Sequence, residues 1–154
     1  MTIKAETQQK RLVDVSADSV TQRLAAYGVL LKDDKVLVVK TRSNNWEIPG
    51  GAPEKGETLE QGLRRELMEE VGMRARIGQM FYMRESFYHT PSGKTYHSIQ
   101  FYFLIHTDDS PAAAEAKEYA FMAIKDLTED ITNSSSYLAI QSLENKKPYS
   151  LWLQ

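Results

Sequence analysis

Short apolar runs, broken by polar and Gly/Pro-rich segments, dominate this chain, and only one long stretch carries a helical stripe. Leu24–Leu31 and Val36–Val39 are rich in apolar and β-branched residues and predict two strands. Lys32-Asp33-Asp34-Lys35 supplies the polar turn between them. The stretch Trp46 to Pro53 is punctuated by Pro49, Gly50, Gly51 and Pro53, which predicts turn or loop. Gln79–His89 and Tyr96–His106 predict a strand pair joined by Thr90-Pro91-Ser92-Gly93-Lys94, and Tyr119–Ile124 predicts a further strand.

Thr58 to Val71 is the helical stretch. Leu59, Leu63 and Leu67 recur every four residues and Val71 continues the stripe. Thr58 is placed to cap the N-terminus, with Glu60 and Gln61 in the first turn, and Gly72 is placed to end it. Gly62 inside this helix costs about 1 kcal/mol relative to Ala, which predicts close packing there. A shorter helix is expected over about Ser135 to Leu143, with capping residues in Asn133 to Ser136. Strands, helix, strands, helix is the order of an α/β protein with a mixed sheet and packed helices.

Composition narrows the class. A chain of 154 residues fits one domain, 1–154, with a sizeable core. No apolar run approaches the roughly 20 residues that cross a bilayer, so no membrane partner is expected. Met1 to Asp14 is polar, without the apolar segment of a secretory signal, and the expected location is cytoplasmic. With no Cys, disulfides, thiol catalysis and Cys-based zinc sites are excluded. A net charge of −2 gives no electrostatic reason to bind a nucleic-acid polymer. A small anionic substrate then needs local help, from a bound cation or from a few placed Lys and Arg.

The candidate chemistry lies on the helix. Glu66 and Glu70 are one turn apart, about 40° from each other around the axis, and Glu69 is about 60° to the other side of Glu66. Like charges at i,i+4 destabilise a helix, and carboxylates near its C-terminal end oppose the helix dipole. A divalent cation offsets both effects. Carboxylates in one sector suit Mg²⁺ or Mn²⁺, which take oxygen ligands and keep waters and substrate phosphates. Arg65 is placed to brace one Glu through a forked pair. An acidic run alone is more often a solvated helix face, and Gly50-Gly51 alone is more often a hairpin turn.

The two features occur together at a defined spacing. Gly51 is followed by five residues and Glu57, then seven residues and Arg65-Glu66-Leu67, one residue, Glu69-Glu70, one residue, and Gly72-Met73. This pattern resembles the Nudix box, with Met73 in the final bulky aliphatic slot. Average residue usage puts a chance match on the order of one in ten million. The resemblance implies the α/β/α sandwich of that family and a metal-dependent hydrolase of the MutT-like kind, cleaving the diphosphate of a nucleotide-like small molecule. It implies metal ligation by Glu66, Glu69 and Glu70, with the Gly50 carbonyl as a further ligand candidate. Glu57 would help position metal or water, Arg65 would orient a neighbouring Glu, and Glu69 is the leading candidate for general base. Gly50 and Gly51 would lie against the substrate, and Arg42 stands where the family often has an Arg reaching phosphate; a surface salt bridge is its other reading. Glu118 resembles a Glu that sometimes adds a metal ligand or base. A domain that senses nucleotides or contacts proteins without catalysis is the alternative, but such domains often lose box carboxylates, and all four are present here.

Outside the box, Trp46 is expected in the core rather than stacked on a base. Phe87, Tyr88, His89, Tyr96 and His97 can line a base or sugar pocket or pack on the sheet, packing being the commoner fate of strand aromatics. Leu151-Trp152-Leu153 is an apolar tail for docking on the domain or on a partner subunit, which allows a homodimer.

Overall fold

The computed structural model describes residues 1–112 and 118–145; the Leu151-Trp152-Leu153 tail lies outside the described residues. In chain order the strands that build the site are β1 (Thr2–Thr7), β2 (Leu12–Ser16), β3 (Val20–Val29), β4 (Leu31–Lys32), β5 (Lys35–Lys40), β6 (Trp46–Glu47) and β7 (Gly50–Gly51). Helix α1 (Leu59–Val71) follows, then β8 (Arg76–His89), β9 (Thr95–His106), β10 (Tyr119–Ala123) and helix α2 (Ser134–Asn145). A six-stranded mixed sheet has the order β2-β1-β8-β9-β3-β7, and β5 carries β10, β4 and β6 in a second sheet. β3 runs parallel to β9, and the β8–β9 and β1–β2 pairs are antiparallel.

Strand alternation makes the sandwich. Side chains one apart point to opposite faces, so Ala25, Tyr27 and Val29 of β3 join Val36 and Val38 of β5 in a core with Ala139 and Ile140 of α2. Their neighbours Ala26, Leu37 and Val39 turn the other way and meet Leu63, Leu67 and Val71 of α1. The two helices therefore cover opposite faces of the strands, the α/β/α arrangement expected. At the β4–β5 turn Asp33 and Asp34 both take positive φ, 50° and 60°, the geometry that matches a two-residue hairpin to strand twist.

Helix α1 starts and stops where expected. The Thr58 hydroxyl accepts the Gln61 N–H and the Gln61 side chain accepts the Thr58 N–H, a complete capping box. Gly72 ends it in the left-handed conformation at φ 62°. At Gly62 an added Cβ would lie 2.8 Å from the Pro53 Cα, so the glycine admits the incoming loop against the helix.

One expectation needs correction. Trp46 to Pro53 is not all loop: β6 pairs with β5, and β7 pairs with β3 through Ala26–Gly51 and Tyr27–Gly50. Gly50, at φ 145° and with the Ala26 carbonyl 2.2 Å from where a Cβ would stand, is seated directly on β3. The polar N-terminus also folds, into the β1–β2 hairpin, whose β1 lies parallel to β8 through Glu6–Tyr88 and Thr7–His89.

Candidate active site

One face of the six-stranded sheet floors a cleft of about 540 Å³. Glu66 and Glu70 of α1 and Gly50 and Gly51 of β7 form one end of it. The floor continues across β3, β9 and β8 through Arg23, Gln100, Ser98, Ser86 and Tyr88, and Glu6 of β1 bounds the far side. Arg42, exposed in the turn after β5, lies on the rim. Of the residues expected at the site, Arg42, Gly50, Gly51, Glu66 and Glu70 come together at this cleft.

Glu70 is 3% exposed, and its Oε2 accepts the Gly50 N–H at 2.9 Å. A carboxylate on the buried stripe of α1 thereby holds the glycine strand against the helix. At Gly51 an added Cβ would lie 2.7 Å from the Glu66 Oε1 and 2.8 Å from its Cδ, so the missing side chain is what leaves Glu66 its place. Gly51→Ala is therefore expected to keep the fold, since this glycine needs no positive φ, and to lower kcat/KM by up to about 100-fold by displacing the carboxylate, as misplacement near 1 Å can. Steady-state kinetics beside a melting curve check it.

Glu57 and Glu69 are not among the cleft-lining residues; both are held by Arg65. The Arg65 Nε and Nη2 donate to the two Glu57 oxygens at 2.9 and 3.0 Å, a bidentate fork. Its Nη1 donates to Glu66 Oε1 at 3.0 Å and Glu69 Oε2 at 3.1 Å, and Nη2 also reaches the Ala52 carbonyl at 3.2 Å. One guanidinium thus ties three carboxylates and the glycine loop, where the sequence predicted a brace for one. The Arg65 fork, followed by the Glu54 N–H, holds the Glu57 carboxyl below the usual carboxylate range. Arg65 itself is locked in the charged form, first by Glu57 and then by Glu66.

The Glu66 carboxyl is raised, and burial is the leading cause. Repulsion from Glu70 and Glu69 is a smaller contribution that Arg65 opposes. Among the described residues no three acidic or His side chains already converge as a metal cluster. Two carboxylates at the cleft corner nonetheless fit Mg²⁺ or Mn²⁺, which commonly bind through one or two carboxylates and fill the remaining positions with waters and phosphate oxygens.

The remaining residues sort clearly. Trp46 is buried at 8% exposure in the α2-side core, as expected, and the Lys40 ammonium lies 4.2 Å from its ring centroid. Phe87, Tyr88 and Tyr96 line the cleft, whereas His97 pairs with Glu85 at 2.5 Å and His89 with the Thr95 hydroxyl at 2.9 Å. Glu118 is exposed just before β10, where its carbonyl accepts the Lys40 N–H, and it does not line the cleft.

Several cleft residues were not singled out from the sequence. Glu47 of β6 and Glu6 of β1 are two of them. Glu6 accepts the Ser134 hydroxyl at 2.6 Å and meets Arg84 at 3.4 Å, fastening the N-terminal hairpin to the start of α2. Lys10 adds contacts to the Glu129 and Thr132 carbonyls. A polar residue in the sequence Trp46-Glu47-Ile48-Pro49-Gly50-Gly51 was a usable signal for Glu47; nothing local announced Glu6.

Comparison with known proteins agrees with this geometry. The NUDIX domain model matches residues 21–141, leaving the β1–β2 hairpin outside it. An ADP-ribose pyrophosphatase of Methanocaldococcus jannaschii is 30% identical over 110 residues, covering 68% of this chain and 63% of that protein. An 8-oxo-dGTP diphosphatase of Buchnera aphidicola subsp. Schizaphis graminum is 35% identical over 66 residues, 40% of this chain and 51% of that protein. The chain thus spans between half and two thirds of the length of these two relatives. A solved NUDIX hydrolase from Nitrosomonas europaea superposes with TM-score 0.66 at 20% identity, over 85% of this chain and 94% of that one. With a family model matched across most of its length and the box residues Gly51, Glu66 and Glu70 at one end of a cleft, the chain belongs to the Nudix family.

Proposed function

We propose that the protein is a metal-dependent hydrolase that cleaves the diphosphate bond of a nucleoside diphosphate linked to another moiety. The observation that carries this reading is the corner at which Glu66 and Glu70 face the same cleft as the glycine strand. Two relatives are named for cleaving nucleotides, ADP-ribose in one case and 8-oxo-dGTP in the other, which agrees with a small nucleotide-like substrate.

Glu66 and Glu70 would hold Mg²⁺ or Mn²⁺, with Glu69 joining them once it leaves its contact with Arg65. When bound, the cation supplies Lewis-acid polarisation of the phosphoryl oxygens and makes water a stronger acid. The chain's own residues do the positioning. Gly50 and Gly51 let the diphosphate approach the backbone without a side chain in the way. Glu57 anchors the Arg65 fork, and Arg65 in turn sets the Glu66 carboxylate. Arg42, on the rim, meets phosphate charge as it enters. Closely placed reactants and fixed charges are the main sources of catalysis in phosphoryl transfer.

The test is a phosphate-release screen over deoxynucleoside triphosphates, ADP-ribose, dinucleoside polyphosphates and nucleotide sugars, with Mg²⁺ or Mn²⁺. Turnover of at least one compound, abolished by a chelator and restored by added metal, is the expected result. Turnover indifferent to the chelator contradicts the metal-dependent reading, and nucleotide binding without turnover contradicts the hydrolase.

A further inference from the structure

The floor of the cleft carries polar atoms that the folded chain leaves without a hydrogen-bond partner. Ser98 is 3% exposed and Gln100 9%, and neither the Ser98 Oγ nor the Gln100 Oε1 has a partner. Both residues line the cleft. Buried polar groups are almost always satisfied, because removing them from water without a partner costs free energy. Ser98, Gln100 and Tyr102 form a run of three such groups on one face of β9, and the two that line the cleft, Ser98 and Gln100, are placed where a bound ligand supplies the missing partners.

Their place in the sheet says which part of a substrate they meet. Gln100 pairs in register with Ala25 of β3, and the next residue of β3, Ala26, pairs with Gly51. Gln100 is therefore nearly abreast of the glycine strand, two strand spacings away, roughly 10 Å. Ser98 lies on the same strand, further from that end, level with Ser86 of β8. A diphosphate held at Gly50, Gly51, Glu66 and Glu70 puts its attached nucleoside over this part of the floor. The last torsion of a Gln side chain is soft, so the acceptor turns toward a bound group at little cost.

We infer that Ser98 and Gln100 are specificity-determining residues that accept hydrogen bonds from N–H or O–H groups of the substrate's nucleoside, a reading that rests on the proposed diphosphate site. A ribose hydroxyl and the edge of a base share this donor chemistry. Neither residue touches the reacting phosphorus, so their contribution is to binding and selection.

Equilibrium binding separates this claim from the catalytic one. Methylenediphosphonate, which fills only the diphosphate end, is titrated by calorimetry with Mg²⁺ into the wild-type protein. The non-hydrolysable α,β-methylene analogues of ADP, GDP, CDP and UDP follow, with the 2′- and 3′-deoxy forms of the best binder. The wild type is expected to bind that nucleotide at least tenfold more tightly than methylenediphosphonate. Gln100→Leu and Ser98→Ala are each expected to remove at least tenfold of that gain, with methylenediphosphonate affinity within about twofold of wild type. Loss of the gain on deleting a ribose hydroxyl assigns the donor to the sugar; loss only on changing the base assigns it to the base edge. Should Gln100→Leu melt below the assay temperature, Gln100→Asn, which retracts the amide, carries the same expectation. A nucleoside gain unchanged in both variants overturns the inference and leaves the diphosphate site standing. Failure of the wild type to bind methylenediphosphonate or any of the nucleotides overturns both.

Discussion

Glu70→Gln is expected to lower kcat at least about 100-fold, since a divalent cation stabilises charge on the reacting phosphate by several kcal/mol and each 1.36 kcal/mol is tenfold in rate. The substitution isolates charge from shape. A Gln carbonyl still accepts the Gly50 N–H that Glu70 now accepts at 2.9 Å, so β7 stays against α1. Glu70 is buried and shares its helix sector with Glu66, and removing one of two like charges at i,i+4 relieves their repulsion. The metal-free variant is accordingly expected to melt at the same temperature as wild type or higher. The rise in Tm that Mg²⁺ gives the wild type, by binding the native state alone, is expected to shrink or vanish. Kinetics together with melting curves, each with and without metal, check both halves.

Arg65→Leu is the second large effect, with kcat/KM expected to fall about 10–100-fold, the range found when groups that orient metal ligands are removed. The substitution frees Glu57, Glu66 and Glu69 at once and releases the Ala52 carbonyl, so the glycine loop and the helix lose their shared anchor. Three carboxylates then repel one another without a cation among them, and Tm is expected to fall in metal-free buffer and to recover in part with Mg²⁺. Arg65→Lys is expected to restore little activity, because an ammonium has no planar fork to meet both Glu57 oxygens. Full activity in Arg65→Lys would show that charge alone suffices and that the fork has no positioning role.

Much of the box end of the cleft was legible because it is local. Thr58, the leucine stripe, Gly72 and the spaced glutamates lie within one loop and one helix, and helical periodicity alone places Glu66 and Glu70 at the edge of the buried stripe. Arg65 was legible as a brace, but its hold on Glu57 and Ala52 depends on how the loop folds back. The β1–β2 hairpin escaped notice although Thr2–Thr7 and Leu12–Ser16 alternate along their length. Its connection, Gln8-Gln9-Lys10-Arg11, has no Gly, Pro, Asn or Asp to mark a turn, and Lys10 takes the positive φ of 59° that such residues usually supply. The cleft floor was hidden for a different reason. Alternation says that Ser98 and Gln100 share a face, but not which strand lies beside them, and the parallel β3–β9 pairing joins residues more than seventy positions apart.

Glu69 shows a limit of helical geometry as a guide. Its sector was right, yet the side chain turns to Arg65 rather than into the cleft. The pair is part-buried but still reached by solvent, and solvent-screened ion pairs contribute about 0–1 kcal/mol, weak enough for a bound cation to compete for the carboxylate.

The central claim is that Glu66 and Glu70 jointly grip a divalent cation at the mouth of the glycine strand. Electron paramagnetic resonance of Mn²⁺ titrated into the nucleotide-free protein measures this without any turnover. Saturable binding in the wild type, weakened at least tenfold in both Glu66→Gln and Glu70→Gln, is the predicted result; equal Mn²⁺ affinity in all three proteins would contradict it.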